Sequence, residues 1–183
     1  MLNRLVAITA FVLVLSLLSG CFHVRMREPI ANRTDAALAE ALRGVWVIGD
    51  NALHVNVDES GQLRAATVDF RDGKFVLEEQ VAIATVTDAG WLLAFRNEEK
   101  EVWGLATFSI NTSGNTLVGA EANPSWFKRA IERGDLQGTV SSNGQVVSLS
   151  SSRAEVIAAI KKAIENDEAP FKDFVSMVKL GGR

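Results

Sequence analysis

The sequence predicts a mainly β fold with some helix (α+β), an antiparallel barrel or sandwich of about eight to ten strands with two to three short helices. Three observations predict it. From Gly44 to Ser150 apolar and polar residues alternate in short stretches, which is the period of strands that bury one face. Those stretches are divided by Glu59-Ser60-Gly61, Asp72-Gly73, Asp88-Ala89-Gly90, Ser113-Gly114-Asn115 and Asn143-Gly144, all of which tolerate the positive φ of tight turns. The 183 residues are 48% hydrophobic and 22% charged, the balance of a folded domain, and one cysteine excludes an internal disulfide framework.

In chain order, Met1 to Arg4 form a short basic start and Leu5 to Leu18 an unbroken run of apolar or small residues. That is the layout of a secretory signal. As a helix the run spans about 21 Å, short of the roughly 30 Å hydrocarbon core, so export with cleavage is expected rather than a permanent span. Leu18-Ser19-Gly20-Cys21 follows directly and resembles the lipobox of bacterial lipoproteins: a branched apolar residue, two small residues, then cysteine. Small side chains let a peptidase reach the bond before Cys21, and only a thiol is nucleophilic enough to take a diacylglyceryl group. The resemblance implies membrane lipid as a partner through acylated Cys21, with a thioether-linked diacylglycerol and a palmitate-type chain on the new amino group. Several such chains anchor almost permanently. In Gram-negative lipoproteins an aspartate after the cysteine retains the protein at the inner membrane. Here Phe22 stands there, and the implied address is the periplasmic face of the outer membrane.

The expected layout is a signal over 1–20, a lipidated tether over 21–33, and a single β-rich domain over 34–183. Residues 22–33 lack a consistent period and contain Pro29, and their Arg25, Arg27 and Arg33 face either headgroups or solvent. Thr34 is the expected cap of a short helix whose apolar face is Leu38, Ala41 and Leu42, with Gly44 at its end. Strands are expected at 45–49, 52–58, 62–70, 74–86, 91–96, 101–110, 115–121, 137–142 and 145–150. Leu53, Val55 and Val57 alternate with His54, Asn56 and Asp58. By contrast Val102, Gly104, Ala106 and Phe108 alternate with Trp103, Leu105 and Thr107, apolar on both faces, as in a sheet closed or nearly closed on itself.

Two helices interrupt the strands. Asn123-Pro124 offers a cap and a first-turn proline ahead of Trp126, Phe127, Ala130 and Ile131. Ser152-Arg153-Ala154-Glu155 has the spacing of a capping box, and Val156, Ile157, Ile160 and Ile164 form an apolar stripe after it. Residues 171–180 read as either a last strand or a hook.

Gly44-Val45-Trp46, opening the first strand after a short helix, resembles the G-x-W signature of lipocalins. Their fold is an up-and-down barrel of about eight strands with a ligand cavity at its open end. The resemblance implies that Gly44 permits close approach of the preceding helix and that Trp46 closes the barrel floor, often beneath an arginine from near the final strand. Arg153 is the conceivable third match. The chain departs from the family in having no tyrosine, no second lipocalin motif, and a helix at 124–133 where a simple barrel has a hairpin. A generic antiparallel barrel or sandwich stands beside this reading.

Little points to chemistry, and no cofactor or metal is expected. His23 and His54 are the only histidines, too few for a metal set. His54 with Asp58 and a serine makes an imaginable triad, but alternation places His54 on a polar strand face. The carboxylates Glu78-Glu79, Glu98-Glu99-Glu101 and Asp167-Glu168 read as solvated charges. Without residues 1–20 the net charge is −4, which excludes nucleic-acid binding by phosphate neutralisation. The aromatic residues Trp46, Trp91, Trp103, Trp126, Phe70, Phe75, Phe95, Phe108 and Phe127 form either core or pocket. Gly44, Trp46, Trp103 and Phe108 are the candidate ligand or barrel-floor residues. The expected role is that of a non-enzymatic envelope lipoprotein that binds a small hydrophobic ligand. The alternative is a lipoprotein that binds another envelope protein through an exposed patch, for instance around Trp126 and Phe127.

Overall fold

A computed structural model describes residues 23–49, 51–71, 74–97 and 101–180 of the chain, with backbone alone at 69–71. The expected signal over 1–20, the lipobox with Cys21, Phe22, the Asp72-Gly73 turn, Glu98-Glu99 and the side chain of Phe70 lie outside the described residues. In chain order the elements are β1 (Val24–Met26), α1 (Ala36–Leu42), β2 (Gly44–Ile48), β3 (Asn51–Val57), β4 (Leu63–Arg71), β5 (Lys74–Thr87) and β6 (Gly90–Asn97). They continue as β7 (Val102–Ile110), β8 (Thr116–Ala122), α2 (Pro124–Glu132), β9 (Gly138–Val140), β10 (Val147–Leu149), α3 (Arg153–Glu165) and β11 (Phe171–Leu180).

Strands β2 to β8 pair antiparallel with their sequence neighbours. β11 then closes the ring by pairing with β8 on one side and with β2 on the other, as in Lys179↔Trp46. The result is an antiparallel barrel of eight strands. The barrel rather than the sandwich forms because the tail 171–180 is a strand, and it supplies the missing neighbour for both edges.

Between β8 and β11 the chain leaves the barrel to build an outer layer from α2, β9, β10 and α3. Both helix starts have the local chemistry read from the sequence. Asn123 accepts a hydrogen bond from Ser125 N–H at 3.2 Å, and Ser152 and Glu155 form a reciprocal capping box. The outer layer explains the strands that are apolar on both faces. On β5, Val81 and Ile83 face it while Ala82 and Ala84 face the barrel interior, so two separate cores share one sheet.

Two local expectations are corrected. Thr34 does not cap α1: the cap position is Asp35, and it makes no side-chain cap bond. Instead the Thr34 hydroxyl accepts from Ala84 N–H at 3.2 Å, and the Asp35 carboxylate accepts from Val86 N–H at 3.0 Å, which ties the start of α1 to β5. The stretch read as a tether is also folded in part. β1 pairs in parallel with β10 and antiparallel with β7, and Val24 and Met26 are 2% and 5% exposed. It fits there because β8 pairs with β7 only from Ala106 onward and leaves the edge at Trp103 and Gly104 in need of partners. The basic trio is accordingly dispersed. Arg25 lies opposite Gly104, while the Arg33 stem packs near Gly61.

β4 and β5 extend beyond their neighbours, since β3 pairs with β4 only up to Thr67 and β6 pairs with β5 only from Ala82. Their far ends form a two-stranded arm. Val68, Phe75 and Leu77 share one face of it and are 61%, 80% and 62% exposed.

Candidate functional site

The barrel is closed at the end where α1 lies. Leu38 and Leu42 of α1 enter the interior core beside Trp46, which is 1% exposed and donates its indole N–H to Leu42 O at 2.7 Å. Over the Trp46 ring, 5.4 Å from its centroid, sits the ammonium of Lys179, which also donates to Ala41 O at 3.0 Å. One cation therefore satisfies a carbonyl at the C-terminal end of α1 and stacks on the floor tryptophan. Gly44 makes room for it. A Cβ at Gly44 would stand 2.8 Å from Lys179 Cε and displace the end of that side chain, and the backbone at φ +128° favours glycine.

The three-residue floor thus consists of Gly44, Trp46 and Lys179. In it Gly44 accommodates Lys179 rather than the preceding helix. Arg153 is not the third member: it donates to Asn32 Oδ1 at 3.0 Å and pairs with Glu28 at 3.6 Å, in the outer layer. The sequence signal for Lys179 is a charge in step with the apolar Val175 and Met177 on residues 171–180.

Above the floor lies a cavity of about 120 Å³. Its walls include Leu53, Val55, Leu63, Phe95, Phe108 and Leu117, and they are almost entirely apolar. Behind Phe108 the Trp91 ring packs against it, centroids 5.5 Å apart and planes tilted by 54°. Glu121, Gln80 and Thr107 are the polar residues of the lining, and two of them are engaged within the sheet: Gln80 Nε2 donates to Arg96 O, and Thr107 Oγ1 donates to Trp91 O at 2.9 Å. Phe108 belongs to this wall. Trp103 does not, because alternation along β7 turns it outward into the second core, where it is 9% exposed.

A larger cleft of about 520 Å³ opens between the end of α2 and α3. Its charges satisfy one another. Asp135 accepts from Arg133 at 2.8 Å and from Lys162 at 3.4 Å, and Glu168 accepts from the Trp126 indole and from Arg133. The Arg133 hydrogen bond, supported by Lys162, holds the Asp135 carboxyl below the usual range; the Trp126 hydrogen bond, supported by Arg133, does the same for Glu168. These groups are committed to holding loop to helix, and they do not converge on a guest.

The patch imagined around Trp126 and Phe127 is not exposed. Both are buried in the second core, edge to face at 4.8 Å, because α2 folds back onto the sheet. His54 is exposed on β3, and the Asp58 carboxylate is taken up by its own turn, accepting from Ser60 Oγ at 2.6 Å, Gln62 N–H at 3.0 Å and Arg64 Nε at 2.9 Å. Among the described residues no three His, Cys, Asp or Glu side chains are grouped to hold a metal.

Floor and walls together define an eight-strand antiparallel barrel with an apolar interior, a fold compatible with ligand binding and consistent with a lipocalin-like barrel. Comparison with protein-family models, curated proteins and solved structures returns no match for the chain.

Proposed function

We propose that the chain is a non-enzymatic envelope lipoprotein, anchored through acylated Cys21 at the periplasmic face of the outer membrane, whose barrel holds a small apolar guest. The observation that carries the binding reading is the apolar cavity of about 120 Å³ above Trp46. Its size narrows the guest. Pockets for drug-sized ligands start near about 300 Å³, whereas an apolar cavity of about 150 Å³ accepts benzene. The guest is therefore a single ring or a short alkyl segment, and a whole lipid does not fit.

Native mass spectrometry of the protein purified from its own envelope, with uptake of benzene-sized compounds measured alongside, tests this. A small adduct that disappears when Ala106→Leu fills the cavity supports the reading; no adduct and no uptake overturn it. The anchor is tested separately, since Cys21→Ala should release the protein from membranes after a salt wash. The exposed face of the β4–β5 arm favours a second reading, docking of another envelope protein. That reading requires a partner lost on Phe75→Ser and Leu77→Ser while guest uptake is unchanged.

A further inference from the structure

Cys21 stands two residues before His23, and His23 is already fixed to the folded body. Its carbonyl accepts from Val147 N–H at 2.7 Å, and its ring Nδ1 donates to Gln145 O at 3.1 Å. The next residues are the buried strand β1, so no slack follows. Two extended residues reach at most about 7 Å. A dozen-residue flexible tether would instead allow excursions of about 20 Å.

We propose that the lipid on Cys21 seats the folded body directly on the bilayer, with His23 and the β9–β10 turn Ser141–Gln145 held at the lipid headgroups. The inference rests on the lipoprotein reading of Cys21. The chemistry of the turn suits that position. Ser141, Ser142, Asn143, Gly144 and Gln145 are exposed and uncharged, so anionic headgroups neither repel nor trap them. The turn also holds its own shape: Ser141 Oγ donates to Asn143 Oδ1 at 2.7 Å, and Asn143 Nδ2 donates to Gln145 Oε1 at 3.0 Å. A rigid, hydrophilic turn meets a hydrated surface without inserting into it. Orientation then comes from the short covalent link and from β1, and the barrel is held at a constant attitude to the membrane.

The test uses the full-length protein carrying Ser142→Cys, labelled with a fluorophore after native processing and placed in phosphatidylethanolamine/phosphatidylglycerol vesicles that contain headgroup spin-labelled lipid. A second form has eight Gly-Ser residues inserted between Phe22 and His23. Strong quenching in the native-length form, reduced several-fold by the insertion, is the expected result. Mass spectrometry of the amino-terminal peptide separates the failures. If Cys21 carries lipid and the two forms are quenched equally, the seating is wrong and the anchor stands. If Cys21 carries no lipid, the lipoprotein reading fails and the seating with it. Equal melting curves for the two forms exclude unfolding as the cause of any difference.

Discussion

Adding one methyl group at Gly44 should disturb the barrel floor through Lys179 rather than through the helix. In Gly44→Ala the new Cβ lies 2.8 Å from Lys179 Cε, closer than real contacts allow, and the backbone at φ +128° disfavours any side chain. The backbone contribution is about 1–3 kcal/mol. To relieve the contact Lys179 must swing away, losing its bond to Ala41 O and its place over Trp46. An ammonium that regains water offsets most of its loss, so these two interactions contribute about 1–2 kcal/mol together. The expected total is about 2–5 kcal/mol. Lys179→Ala alone should cost about 1–2 kcal/mol, and the double variant should cost clearly less than the sum, because without the lysine the methyl group has nothing to displace. Urea unfolding followed by tryptophan fluorescence measures all four corners of the cycle. Additivity within about 0.5 kcal/mol would refute the steric link, and a loss below about 0.5 kcal/mol in Gly44→Ala would refute the floor itself.

Trp46→Ala should cost about 3–5 kcal/mol, since it empties a fully buried indole site next to an existing cavity; a loss below about 1 kcal/mol in reversible unfolding would contradict the placement of Trp46. Gly138→Ala should also destabilise, by about 1–3 kcal/mol, because a Cβ there meets Ser148 O at 2.6 Å and Leu149 Cα at 3.2 Å, backbone atoms that cannot rotate away; thermal melts of the two proteins compare them. The Asp58 carboxyl, held down to about 2 chiefly by the Ser60 hydroxyl and then by Gln62 N–H, stabilises the fold above the ordinary aspartate pKa, and that contribution is lost as pH falls from about 4 to about 2. The carboxylate is partly exposed and its partner Arg64 more so, so solvent screening keeps the effect below about 1 kcal/mol, and Asp58→Asn should flatten the acid limb of a stability–pH profile over that window.

Strands, turns and helix starts were legible in the sequence because each depends on neighbours a few residues apart. Leu53, Val55 and Val57 do alternate inward, Asn123-Pro124 does open α2, and Ser152 with Glu155 does form a capping box. Gly44 and Trp46 stood out as a pair because their spacing is local too. What only the tertiary structure decided are the pairings between distant segments. Residues 171–180 become a barrel strand only because the edges of β2 and β8 are both open, and the same pairing carries Lys179 over Trp46, the position for which Arg153 was the conceivable match. The apparent tether becomes strand β1 because Val24 meets Val147 and Met26 meets Trp103, positions far away in the chain. Trp103, Trp126 and Phe127 are apolar residues on amphipathic elements, and the local pattern does not say which of two cores such a face will meet. The outer layer settles it by covering β5 to β8 from outside, which leaves Phe108 and Trp46 to the interior. Burial is a property of what packs against a face, and a sequence period records the face alone.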